Sequence, residues 1–224
     1  MKIQCPKDQN DIVTMNIPSL EVPGLINNEN HNQKQIEERM KKMTKESYSL
    51  EEVYGQYCQL GEYIAVPAEI AFEYCANIYS LGEWTFSMRN FEHIGGGLYR
   101  SEERLGKNTY VFTRVEAYPD CGVVDYLCAW DQAQELWMRY FFRILDSMPI
   151  LKKAGCVILW TNCKHPYYDR KTKNLPEYIE KGFERTDRSW VGDFWLQFDA
   201  IHRIEMNNLK KILEYRFKQS QRLP

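Results

Sequence analysis

Apolar and polar residues alternate through the middle of this chain, and the period of that alternation changes at identifiable places. GEYIAVP, residues 61–67, alternates and closes on Pro67, which predicts a strand. In AEIAFEYCANIYSLGEW the apolar positions Ile70, Ala71, Tyr74, Cys75 and Ile78 recur at helical spacing, and Leu81-Gly82 reads as the stop. Six strand-like runs follow: WTFSMRNFEHI, LYRSEER, NTYVFTRVEAY, GVVDYLCAW, ELWMRYFFRILD and GCVILWTNCK. Turn signals, not helical patterns, separate them, so they predict one antiparallel meander. From Trp190 to about Lys218 the period returns to helical, with Phe194, Trp195, Phe198, Ile201, Ile204, Glu205, Leu209, Ile212 and Leu213 on one broad stripe. A helix of that length spans on the order of 40 Å, enough to cross a whole sheet.

The flanks are less patterned. Residues 1–30 carry Pro6, Pro18, Pro23 and Gly24 without periodicity and predict an extended arm. A polar helix is expected from Asn32 to about Lys45, and a second one opens at Ser49 with Glu52 as its capping partner. Residues 164–188 read as a charged loop with one helical turn at LPEYIEKGF.

With 224 residues, one principal core is the economical organisation: an arm with peripheral helices over 1–57, a domain over 58–218 and a tail over 219–224. A hydrophobic fraction of 44% excludes a mainly disordered chain, and the 14% aromatic fraction favours a thick core or a large apolar pocket. The net charge of -2 gives no reason to expect nucleic acid. Seven cysteines without CxxC pairing, no secretory-type opening and no long apolar run lead us to expect a soluble, reducing, cytoplasmic setting with no membrane span and no zinc site.

Candidate chemistry concentrates in TNCKHPYYDR, residues 161–170. Asn162, His165, Tyr167, Tyr168 and Asp169 place a near-neutral proton carrier beside hydrogen-bond donors and an orienting carboxylate. The alternative for the same residues is a turn at Pro166 whose tyrosines cover a cavity mouth. Within the strands, Arg114 shares a period-two face with Tyr110 and Phe112, and Asp125 meets either solvent or the interior. Which faces point inward is not set by pattern alone. Of the other histidines, His31 lies in the arm, His93 precedes the GGG turn and His202 borders the apolar stripe.

The order of elements resembles the START-like (SRPBCC, Bet v 1-like) superfamily, closest in character to polyketide cyclase/dehydrase proteins. YIAVPAEIAFEYCANIYSLGEW is similar to that group's opening strand and helix, and WVGDFWLQFDAIHRIEMNNLKKILEYRF to its closing helix. The resemblance implies an α+β helix-grip fold, a curved antiparallel sheet of about seven strands wrapped on the long helix around an apolar cavity. It implies a cofactor-independent cyclase-, aromatase- or dehydratase-like enzyme acting on a hydrophobic polyketide-type intermediate. His165 is then the acid or base, Tyr167 or Tyr168 the oxyanion donor, Asp169 the orienting group and Arg114 the anchor. Trp84, Tyr110, Phe112, Asp125, Trp160, Asn162, Trp195, Phe198 and His202 are the expected ligand contacts. The same fold serves equally for a non-catalytic carrier of a lipid-like or aromatic molecule, and the arm suits a homodimer contact.

Overall fold

Seven strands form one sheet in the order β1-β7-β6-β5-β4-β3-β2, each antiparallel to its neighbours. The computed structural model describes residues 56–105, 108–132 and 134–222. The expected arm, its two helices and the dimer contact therefore lie outside the described residues. The strands are β1 (Tyr57–Ile64), β2 (Met88–Gly95), β3 (Leu98–Glu103), β4 (Tyr110–Tyr118), β5 (Val123–Trp130), β6 (Met138–Asp146) and β7 (Cys156–Cys163). The helices are α1 (Ala68–Ala76), α2 (Leu81–Trp84), α3 (Met148–Leu151), α4 (Glu177–Glu184) and the long α5 (Phe198–Ser220). Among the described residues no helix is long and apolar enough to cross a membrane.

Four boundaries differ from the sequence expectation. β1 begins at Tyr57 and ends at Ile64, so Pro67 precedes α1 and does not close a strand. α1 stops at Ala76 because Asn77 is extended and its side chain accepts the Tyr79 N–H at 3.1 Å, which starts a 3-10 turn. Leu81-Gly82 is consequently the start of α2, and Trp84 ends that helix; the next strand opens only at Met88. The terminal helix is also shorter than its apolar stripe: Val191–Gln197 is 3-10 and only Phe198–Ser220 is α-helical, with Ile204 exposed.

Period two divides the sheet into a helix-facing side and an outer side. Two belts cross the helix-facing side through the register. One runs Tyr126, Tyr140, Asn162, Cys58; the next runs Val124, Phe142, Trp160, Leu60. These positions are buried or half-buried, and all but Cys58 and Asn162 join the contiguous core that α1, α2 and α5 cover. Arg114, Arg139 and Arg143 alternate with them on the outer side and are exposed.

Closure of α5 onto the sheet depends on one close backbone approach. Gly192, in the 3-10 segment leading into α5, lies where an added Cβ would meet the Tyr168 carbonyl oxygen. That atom is main chain and cannot swing away. Gly192→Ala is therefore expected to cost about 2 kcal/mol, lowering the melting temperature by roughly 4–8 °C. Thermal denaturation by circular dichroism tests this; an unchanged midpoint would mean that the segment can shift at no cost.

Candidate active site

Between the helix-facing side of the sheet and α5 lies a cavity with ≈ 80 Å³ open to the centres of water-sized atoms. That is several times the ~10–15 Å³ that one water needs, and its walls are mostly carbon. Trp84 from α2, Tyr126 and Trp130 from β5, Tyr140 and Phe142 from β6, Trp160 from β7 and Phe198 from α5 form the aromatic wall. Their rings pack on one another: Phe142 lies 5.0 Å and Trp84 5.9 Å from Trp160, centroid to centroid.

Polar groups enter this wall at two places. Glu205 of α5 reaches the α2–β2 connection, where its Oε1 accepts the Phe86 N–H at 2.8 Å. Burial pushes its carboxyl up to about 8, nearby Glu103 adds to the effect, and the Phe86 N–H and Arg89 oppose it. A carboxylic acid thus stands neutral at pH 7 inside an aromatic cavity. Glu103, at the end of β3, accepts the Leu105 N–H at 2.9 Å and lines the same cavity; burial raises its carboxyl too, against pulls from Ser87, the Leu105 N–H and Arg89.

The second place is His202, three residues before Glu205 and hence on the same face of α5. Its ring lies 4.3 Å from Trp160, 5.1 Å from Phe198 and 5.8 Å from Tyr140. Nδ1 is 3.4 Å from the Cys58 sulfur of β1. Burial holds the imidazole down to about 3, with Asp199 only partly opposing, so the ring is neutral across the physiological range. Among the described residues no group of three or more His, Cys, Asp or Glu is placed to hold a metal ion.

Of the residues singled out from sequence, Trp84, Trp160, Phe198 and His202 line this cavity. TNCKHPYYDR lies behind it. His165 caps the 3-10 turn Pro166–Tyr168 by accepting the Tyr167 N–H at Nδ1, 3.2 Å away, and its ring rests on Trp137 at 5.5 Å. Burial lowers its pKa. Tyr168 is buried against Trp137, Trp195 and Phe198, and its hydroxyl stands beside Tyr140 and Asn162 without a hydrogen bond. The segment reaches residues of the cavity wall through the Tyr168 ring, against Phe198, and through Asn162, paired with Tyr140 in the register. Tyr167 closes over Trp137, while Asp169 is exposed and accepts the Lys171 N–H at 3.0 Å in a surface turn.

Trp195 packs behind Phe198 at 5.4 Å, and Asn162 is buried beside Tyr140 in the register. Arg114, Tyr110, Phe112 and Asp125 stand on the outer side of the sheet, where Arg100 lies over the Tyr110 ring and Asp125 sits opposite Glu116. Asp125 is half-buried there, and its carboxyl is raised by burial and by Glu116, with Arg139 opposing.

The sequence reading passed over Glu205, Glu103 and Cys58 as site residues. For Glu205 a signal existed, since it is a carboxylate at a stripe position among Ile201, Leu209 and Ile212. Cys58 and Glu103 gave none, because their faces depend on register.

No family model and no curated protein matches this sequence. Solved structures do match its fold. The Zhui aromatase/cyclase from Streptomyces sp. R1128 aligns over 72% of this chain and 94% of its own at 14% identity, with a TM-score of 0.50. A START superfamily protein from Mycobacterium smegmatis aligns over 73% and 98% at 12% identity, with a TM-score of 0.44. A seven-stranded antiparallel sheet closed by a long C-terminal helix, together with the first of these likenesses, gives this chain the START-like helix-grip fold.

Proposed function

We propose that the protein is an acid–base enzyme of the cyclase, aromatase or dehydratase kind, acting on a small apolar ring compound that carries a ketone. The observation that carries this is Glu205, a carboxylic acid kept protonated inside an aromatic cavity. One of its oxygens is engaged by the Phe86 N–H, so its O–H is free to serve a ligand. Glu103 on the same wall is the partner carboxylate: burial raises it, but Ser87, the Leu105 N–H and Arg89 favour its ionised form, and an acid beside a carboxylate makes an acid–base pair. The likeness to an aromatase/cyclase supports the fold for such a reaction.

In a β-hydroxy ketone such as 3-hydroxy-1-tetralone, the Glu103 carboxylate removes the proton from the carbon between the ketone and the carbinol. The freed electron pair is delocalised onto the ketone oxygen, which Glu205 hydrogen-bonds. Its return forms the carbon–carbon double bond and expels the hydroxyl, which takes the proton from Glu103 and leaves as water. Enolisation then gives 1-naphthol. No oxidant or reductant enters.

Glu205→Gln tests this. The wild-type chain should convert 3-hydroxy-1-tetralone to fluorescent 1-naphthol, with turnover falling as pH rises through about 8. The variant should lose roughly a hundredfold in turnover while 1-tetralone still binds. A second reading is a carrier, favoured by a wall that is mostly carbon. It prevails if the wild-type chain turns nothing over and Glu205→Gln alters affinity alone.

A further inference from the structure

His202 and Glu205 share one face of α5, but what His202 offers a ligand depends on which ring nitrogen holds its proton. The Cys58 sulfur lies 3.4 Å from Nδ1, at the end of the belt that runs from Tyr126 to Cys58. Two arrangements satisfy that distance: the thiol donates to Nδ1, or Nδ1–H donates to sulfur. A thiol is weak both as donor and as acceptor, so the choice falls to the imidazole, whose neutral form ordinarily carries its proton on Nε2, and the first is preferred. Three aromatic rings wall the imidazole.

We infer that Cys58 is a positioning residue that donates its thiol hydrogen to Nδ1 of His202, leaving Nε2–H to act with the Glu205 carboxyl as a two-donor clamp on a ligand carbonyl oxygen. This rests on the proposed binding of an apolar molecule in the cavity, and it names the ligand's polar end. Neutrality of all three groups supports it: burial pushes Cys58 up to about 12, holds His202 down to about 3 and raises Glu205 to about 8. Donors without charge suit a neutral ketone. A carboxylate would meet Glu103 on the same wall, and an N–H group with no acceptor of its own would face donors. His202 is therefore the electrophilic partner in the reaction, not its base.

Two measurements on the full chain decide this. In imidazole 15N NMR of the wild-type protein at pH 7, His202 should show a protonated Nε2 and an unprotonated Nδ1 displaced by its accepted hydrogen bond. Cys58→Ala should return the Nδ1 resonance toward that of an unbonded nitrogen, and Cys58→Ser should keep the displacement. A proton on Nδ1 in the wild type, or an Nδ1 resonance indifferent to Cys58→Ala, overturns the assignment. In parallel, Trp fluorescence titrations should find 1-tetralone bound about tenfold more tightly than tetralin, the same skeleton without oxygen. Cys58→Ala should lower that ratio about threefold and leave tetralin unchanged. If tetralin binds and 1-tetralone binds no better, the clamp is wrong and the apolar cavity stands. If neither probe binds, the ligand-binding reading of the cavity fails and the clamp with it.

Discussion

Glu205→Gln is expected to leave the protein more stable than the wild type at pH 9, and equally stable at pH 4. A glutamic acid whose ordinary value is 4.5 and which the fold holds at about 8 resists ionisation inside the core. The unfolded chain ionises it freely. Its contribution is thus fully present below about 4.5 and is lost as pH rises through about 8, a difference on the order of 4 kcal/mol. Glutamine accepts the Phe86 N–H equally well and never ionises, so this alkaline loss disappears. The groups facing Glu205 set the scale: burial and Glu103 raise it, and Arg89 and the Phe86 N–H restrain it.

His202 acts in the opposite direction. Held at about 3, it stays neutral while the unfolded chain takes up a proton, so its contribution is present above about 6.5 and lost as pH falls through about 3. The two limbs overlap between roughly pH 5 and 6.5, where stability should peak. Urea denaturation from pH 4 to 9 measures both limbs. Parallel profiles for the wild type and Glu205→Gln across pH 5–8 would show that Glu205 is ionised in the folded protein and would remove the basis for its acid role.

Much of the architecture was legible because its signals are local. The run VVDYLCAW is apolar but for Asp125, and Val124, Tyr126 and every residue from Leu127 to Trp130 prove buried. The stripe along the last helix located α5, though it overran into Val191–Gln197, since a 3-10 segment also brings residues three apart onto one side. The site was less legible. Clusters adjacent in sequence are conspicuous, which drew attention to His165 through Asp169, a turn closed by its own Nδ1 contact. The cavity instead assembles α2, each of β2 to β7 and α5, with lining residues as far apart in the chain as Leu81 and Glu205. Cys58 meets Asn162 and His202 only through pairing registers that one-dimensional periodicity leaves free. Arg114 and Asp125 illustrate the same gap: their period-two faces were clear, but which face met the helix was decided by burial of the alternate set, Val111 and Thr113, Val124 and Tyr126.

Trp160→Ala should be among the most damaging single substitutions in the domain, because one indole packs on four other residues of the cavity wall. Its ring meets Trp84 edge-on, lies against Phe142, faces Tyr140 and covers His202 at 4.3 Å. Truncation removes these contacts and merges the vacated volume with the existing cavity, for a cost of about 3–5 kcal/mol and a melting temperature lower by roughly 10 °C. Indole is the missing group itself. Added at millimolar concentration, it should bind the enlarged cavity and restore part of the lost melting temperature, and the wild-type chain, with less room, should gain less. Thermal scans with and without indole separate the two contributions. A loss under 1 kcal/mol would mean that α5 settles onto the sheet and refills the space, making the cavity wall compliant. A large loss that indole does not reverse would mean that the site collapses once Trp160 is gone, so that this ring holds the cavity open as well as lining it.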